Sequence, residues 1–379
     1  MTLQTHPDYY VRWRDENLAP KGETAAFEKL TLIPRFNDWA SWILEIRAEH
    51  LNATFLDWKN SLEVFRKSES FVAGPITTID HLNYKKDRYK ISGVGHMVHL
   101  DDRLATPEPA GPPYTTDAYD IQASTDAETQ LKYYVDAHCG PGAKVARQKL
   151  TIATNQNRGS SLPGRARFYN LLAMCQSMAL QGGDLGFKVT LEGTELEFEV
   201  YEPTDLTGDV KLSRELGTLV GYRVISNAPT TNHVTGAGGG QGITRIFREG
   251  EDTASQTKYD RRIESFRDRR DTTDTDEIDK SIQEELDKGA DRVSVELYPT
   301  ETEQARPIDD YYVGDKITAT VDGVTYTTPV REMNIVVEAN METVVPVVGS
   351  PGRADSNALS DLYSKLQNVQ SQLALIQKE

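Results

Sequence analysis

Histidine, cysteine, glycine and arginine each occur here at spacings that invite a chemical reading. His96 and His99 stand three apart, a separation that on a helix lets two imidazoles share a face and hold a metal. The stretch around them, 91–100, reads as a strand, where positions three apart point to opposite faces, so no metal pair is expected. Cys139 directly follows His138, and adjacent residues on a helix do not face each other. His138 and Cys175 lie on apolar helical stripes and read as core residues. Gly236, Gly238, Gly239, Gly240 and Gly242 suggest a phosphate cradle, but Ile243-Thr244 stands where a Walker motif needs Lys and Ser or Thr. Gln241 stands where a dinucleotide fingerprint needs glycine. The cluster is therefore read as a hairpin tip. Arg261, Arg262, Arg267, Arg269 and Arg270 read as the one basic concentration. Asp260, Glu264, Asp268 and Asp271 interleave them, so an ion-paired surface is expected rather than a nucleic-acid patch. No GxSxG elbow, HExxH pair or SxxK spacing is read in the chain, and with 58 acidic residues any pair of carboxylates is expected by chance. No catalytic residue, cofactor or metal is expected.

The elements that would position these residues are mostly strands. Residues 1–105 read as a first barrel-like β domain, with strand candidates at 9–13, 27–36, 42–47, 62–66, 70–79 and 88–100 and a short helix at 51–58. Four prolines between 107 and 113 make residues 106–123 a stiff linker. Residues 124–205 read as a small α+β insert. Thr125 to Glu128 has the form of a capping box. Helical stripes follow through Leu131, Tyr134 and Val135 and through Leu171, Cys175 and Met178, and then a hairpin turns at Gly193. Residues 206–350 read as a second barrel-like β domain. It has strands at 219–225 and 242–247, a helix at 275–288 and a hairpin across Asp322-Gly323. Residues 261–270 fit strand or helix, with strand preferred. The fold class is α+β and β-rich, in several domains.

The charge balance is 42 Lys and Arg against 58 Asp and Glu, or −16. Such a surface repels nucleic acid and anionic membranes, and would suit a wall that DNA slides past. Two cysteines without a CxxC spacing give no disulfide framework and point to a reducing compartment. No signal peptide and no membrane span are expected.

The closing segment, 351–379, has the clearest pattern. Leu359, Leu362, Leu366, Val369, Leu373 and Ile376 recur at spacings of 3, 4, 3, 4 and 3. This is a heptad seam with Leu359, Leu366 and Leu373 at a and Leu362, Val369 and Ile376 at d. Leu at a with β-branched residues at d favours three or four strands over two. Pro351-Gly352 detaches the helix, and Asp355 or Ser356 can cap it. A coiled-coil clasp between identical copies is expected.

Several stretches resemble minor tail proteins of siphophages of actinobacteria. They are Tyr9-Tyr10-Val11-Arg12-Trp13-Arg14-Asp15, Arg35-Phe36-Asn37-Asp38, Gly74-Pro75-Ile76 and Asp101-Asp102-Arg103-Leu104-Ala105. Tyr133-Tyr134-Val135, Arg261-Arg262-Ile263-Glu264, Asp268-Arg269-Arg270-Asp271, Tyr312-Val313-Gly314-Asp315-Lys316-Ile317 and Val330-Arg331-Glu332 extend the resemblance to residue 350 or so. A helix between β segments is also similar to the hubs of contractile tails and type VI secretion spikes. The resemblance implies a homotrimeric tail-tip (baseplate) hub in the virion, assembled in the host cytoplasm. Two barrel-like domains per subunit would form a pseudo-sixfold ring on the distal tail protein. The tape measure protein and a central tail fibre or spike would be further partners, and the ring would line the channel for genome ejection. The resemblance brings no catalytic residues. The alternatives are a tail-associated cell-wall hydrolase and a receptor- or carbohydrate-binding tail protein, the latter marked by exposed aromatics on one face.

Overall fold

A computed structural model describes residues 6–84, 86–114, 119–270, 272–300, 305–338 and 341–349. The expected β-rich α+β class is what it shows. Among the described residues, one compact unit holds those up to Tyr222 and from Glu296 to Val348. The other holds those from Arg223 to Val295, with Gly349.

The first unit opens with β1 (Tyr9–Arg14), β2 (Pro20–Thr24), β3 (Lys29–Arg35), β4 (Asp38–Arg47), β5 (Ser61–Arg66), β6 (Glu69–Tyr84) and β7 (Lys86–Val94). Alternation sets the faces: Trp42, Leu44 and Ile46 of β4 are fully buried, while Ile43, Glu45 and Arg47 are half-buried. Pro34 does not break β3, which pairs with β4 on one side through a register shift between Ile33 and Arg35. The long β6 pairs with β5 from Glu69 to Pro75 and with β7 from Ile76 onward. The crossing is tight, since a Cβ on Gly93 would stand 2.2 Å from both the Pro75 carbonyl oxygen and the Trp42 ring. At 51–58, where a short helix was expected, a single 3-10 turn spans Ala53–Phe55.

The strand expected at 91–100 ends at Val94. A turn through Gly95 leads into α1 (Val98–Asp101), and β8 (Leu104–Ala105) follows. Then come β9 (Asp120–Asp126), α2 (Ala127–Cys139), β10 (Thr151–Ile152), β11 (Ser161–Ala166), β12 (Tyr169–Asn170), α3 (Leu171–Gln181), β13 (Gly186–Glu192) and β14 (Glu195–Tyr201). The cap of α2 is Asp126 rather than Thr125: its carboxylate accepts from the Thr129 N–H at 2.8 Å. Glu128 is fully buried, accepting from the Lys132 ammonium at 2.6 Å and the Arg158 N–H at 3.0 Å. Leu131, Tyr134, Val135, Leu171, Cys175, Met178 and Phe198 form one core under both helices and the β13–β14 hairpin. Gly193 at φ +64 makes that hairpin's turn.

The chain continues through β15 (Lys211–Ser213) and β16 (Leu219–Asn227), within which it passes into the second unit. There β17 (His233–Ala237), β18 (Phe247–Glu251), α4 (Thr253–Tyr259), β19 (Glu264–Asp268) and α5 (Thr275–Gly289) follow. The glycine cluster is a tip, as expected, but it joins β17 to β18. Gly242–Thr244, expected as strand, is a 3-10 turn. The preferred strand at 261–270 is present as β19. Asp274 caps α5 by accepting from the Asp276 N–H. Ile278, Ile282 and Leu286, one helical turn apart, bury against Val234 of β17, each contributing roughly 1.5–3 kcal/mol relative to exposure.

The chain returns within β20 (Arg292–Pro299) and closes with β21 (Lys316–Val321), β22 (Val324–Pro329), β23 (Glu332–Glu338) and β24 (Met341–Gly349). Asp322 and Gly323, both at positive φ, form the expected two-residue turn between β21 and β22. The largest sheet has eleven strands in the order β16-β20-β24-β23-β3-β4-β7-β6-β5-β1-β2. Its centre is non-local: Leu32 and Leu30 of β3 stand opposite Ile335 and Val337 of β23.

Candidate functional site

The structure reassigns several residues whose types could do chemistry. His96 and His99 do meet, because a helical turn replaces the expected strand; their rings stack at 5.6 Å. Burial pushes both down, His96 to about 3 and His99 to about 4, with Lys149 and Arg103 adding repulsion at His99. Among the described residues no three His, Cys, Asp or Glu side chains are placed to hold a metal ion. His138, Cys139 and Cys175 are fully buried, and burial raises the Cys139 thiol to about 11, so it is a poor nucleophile. Contrary to the reading that no SxxK spacing occurs, Ser255 and Lys258 do form one. The Lys258 ammonium donates to Asp291 at 2.5 Å, and that bond holds it protonated, unfit as a base. The heptad residues Leu359, Leu362, Leu366, Val369, Leu373 and Ile376 lie outside the described residues.

Six arginines of the second unit are neutralised in place, two of them by the interleaved acids Glu264 and Asp268 of their own run. Arg262 pairs with Glu264 at 2.7 Å, Arg267 with Glu285 at 3.9 Å, Arg269 with Glu277 at 3.5 Å and Arg270 with Asp268 at 3.3 Å. Arg245 meets Asp268, and Arg248 meets Asp279. The outer face of β18 and β19 keeps Phe247 and Phe266 exposed with the Arg245 guanidinium 5.7 Å from each ring.

In the first unit, buried and half-buried ion pairs fasten the opening strands to segments after residue 305. Arg35 of β3 donates to Glu332 of β23 at 3.2 Å, both nearly out of water. Burial raises the Glu332 carboxyl, and Arg35 opposes that rise. Arg66 of β5 donates to Asp309 at 2.7 Å and to Glu342 of β24 at 3.1 Å, and the Tyr9 hydroxyl donates to the same Glu342. The Arg66 hydrogen bond holds Asp309 down at about 2.

A second basic concentration escaped the sequence reading. From residue 137 to residue 183 the chain carries Lys144, Arg147, Lys149, Arg158, Arg165 and Arg167 and no acid. Arg158 is taken up by Glu128, whereas Lys144, Arg147, Lys149 and Arg167, with nearby Arg103, form no ion pair among the described residues. Arg147 instead donates to the Leu104 carbonyl at 2.7 Å, and its guanidinium is lowered by burial and by Arg103 beside it. Arg167 and Arg165 lie over the Tyr119 ring at 5.1 and 3.6 Å.

Aromatic rings are interleaved with these cations. Tyr169 pairs with Ala105 in the short β8–β12 ladder, which puts Leu104 beside it. The Tyr114 ring meets Phe168 edge-on at 5.2 Å. Leu104, Tyr114, Phe168 and Tyr169 are 50%, 39%, 46% and 43% exposed. Phe168 sits at φ +55, a conformation that a bulky residue rarely adopts. The cue available in the sequence was the absence of Asp and Glu over 137–183. A shallow cleft of about 350 Å³ elsewhere in this unit, lined by Gly159, Gly183, Glu202 and Lys316 among others, gathers no convergent catalytic groups.

Residues 10–350 match the family described as Siphovirus ReqiPepy6 Gp37-like protein. No curated protein matches the chain. Among solved structures, the 43 kDa tail protein of prophage MuSo2 from Shewanella oneidensis is similar with a TM-score of 0.55 at 10% identity, over 90% of this chain and 98% of that one. A tail protein from Neisseria meningitidis gives 0.53 at 12% identity, over 90% and 97%. Prophage tail protein gp18 from Listeria monocytogenes gives 0.50 at 13% identity, over 95% and 99%. At these identities the likeness is one of fold.

Proposed function

The chain belongs to the family of Siphovirus ReqiPepy6 Gp37-like proteins, a phage tail family, and on that premise we propose that it is the structural hub of the tail tip. Three copies form a ring. The strands of 1–105 and 206–350 supply two barrel-like walls per copy, the insert of 124–205 faces the tip, and the helix of 351–379 clasps the copies together. The ring joins the distal tail protein, and behind it the tape measure protein, to a central fibre or spike. Its lumen is the path of the ejected genome. The family match over residues 10–350 carries this reading. Support comes from the fold shared with tail proteins over 90–95% of the chain. The net charge of −16 adds to it, since a strongly acidic ring would let DNA pass without trapping it. The role is architectural rather than catalytic, with no cofactor and no specific nucleic-acid contact.

Light scattering on the full chain, and on a chain ending at residue 352, tests the clasp. The full chain is expected at three times its 42.4 kDa subunit mass, and the shortened chain at less. A full chain that stays at the subunit mass at every concentration, and does not co-purify with the distal tail protein ring, would defeat the hub reading. Clearing of cell-wall material in a zymogram would replace it with the hydrolase.

A further inference from the structure

We propose that the basic, aromatic face of the α+β region — Arg103, Leu104, Tyr114, Arg147, Phe168 and Tyr169 — is a contact surface for the carboxylate-rich surface of a second copy of this chain. The inference rests on the self-assembly just proposed and assigns a place for it.

Three observations converge. The first is charge. The chain places its 58 acids and all but six of its 42 cations outside 137–183, so the body that meets this face is strongly acidic. Copies with a net charge of −16 each repel one another, and a local cationic face is the feature that offsets that repulsion where they touch. The second is the absence of internal ion pairs. In a chain rich in acids, Arg103 and Arg147 stand side by side without an ion pair among the described residues, and the buried Arg103 Nε has no hydrogen-bond partner. Guanidinium groups kept together against their own repulsion are available to carboxylates from outside. The third is composition. Exposed tyrosine and phenylalanine beside arginine is the make-up of the energetic centre of protein interfaces. Phe168 holds its place there in a left-handed backbone conformation, a cost that persists only where the surroundings enforce it. The face and its acidic counterpart are different surfaces, so the contact is head-to-tail, the kind that closes a ring.

The test uses the full chain in light and isotope-heavy forms, mixed at high salt, returned to low salt and treated with a carbodiimide. Crosslinks between a light and a heavy chain that join Lys144 or Lys149 to an Asp or Glu are expected. Their yield should fall about tenfold or more in the R103E/R147E variant, with circular dichroism unchanged. The milder R103Q/R147Q variant gives an intermediate loss and serves if the reversal does not fold. If an oligomer forms and its mixed crosslinks never involve these lysines, or are indifferent to both variants, the inference falls while the hub reading stands. A chain that remains monomeric at low salt overturns the inference, and with it the hub reading if the chain also fails to co-purify with the distal tail protein ring. Retention of a monomeric chain on heparin or DNA, lost in R103E/R147E, overturns the inference in favour of a polyanionic ligand.

Discussion

Two arginine-rich regions of this molecule differ in what they do with their charge. Around β18, β19 and α5, six arginines each face a carboxylate from a neighbouring strand, turn or helix. Around β8, β11 and β12, arginines stack on tyrosine, donate to carbonyls or crowd one another. The first region announces itself in sequence as alternating signs and is electrostatically closed. The second is scattered over residues 103–167 and is open. A count of basic residues would rank the first higher. The placement of the acids shows that the second has charge to offer a partner.

The largest effect should come from a closed pair that is also buried. Replacing Arg35 by Ala strands Glu332 in the sheet and should cost about 3–5 kcal/mol at neutral pH, read by urea denaturation. That loss should shrink as pH falls toward 5, because protonation removes the stranded charge. A loss independent of pH would show that Arg35 acts through packing alone.

Next comes the pH dependence built into the open region. His96, His99 and His138 are pushed to about 3, 4 and 4 by burial, below the 6.5 of an unfolded chain. The unfolded state therefore binds protons that the folded state refuses. The part of the stability carried by these three groups should be flat above pH 6.5 and fall between there and about pH 4, by roughly 3 kcal/mol for each imidazole. In the K149M variant the His99 resonance should titrate at higher pH than in the natural chain, because one of its repelling cations is gone. An unmoved titration would remove Lys149 from the account.

A smaller effect is expected at Phe168. In F168N the left-handed backbone is better tolerated, so stability should hold or rise by up to about 1 kcal/mol, while the intermolecular crosslinks weaken. A marked loss of stability would make Phe168 a folding residue. The smallest effect should be at the exposed pair Arg267–Glu285, where R267A is expected to change stability by less than about 0.5 kcal/mol.

Elements whose signal is local were legible in the sequence. The stripe of α5, the apolar faces of α2 and α3, the Asp322-Gly323 turn and the glycine tip all follow from residues within a few positions of one another. The His96–His99 pair was misread because an apolar run continued past Val94, and nothing in its pattern marks where a strand gives way to one helical turn. The antiparallel pairing of β3 with β23 was not legible, since registers between segments 300 residues apart leave no periodicity in either. The basic face was missed for a related reason: its members come from four separate segments, and only the long interval without Asp or Glu betrays it. The heptad residues from Leu359 to Ile376 remain a pattern in sequence.

The fastening of β3 and β5 to the last two strands bears on how the protein is made. A ribosome adds roughly 5–20 residues per second, so the opening strands emerge tens of seconds before β23 and β24 exist to cover them. Glu332 and Glu342, which receive Arg35 and Arg66, are among the last described residues to be synthesised. The nascent polypeptide must therefore carry an uncovered sheet edge and uncompensated arginines until β23 and β24 have been translated. A premature stop codon anywhere before Glu332 would leave both defects permanent, and such a fragment would be a substrate for chaperones and proteases rather than a smaller working domain.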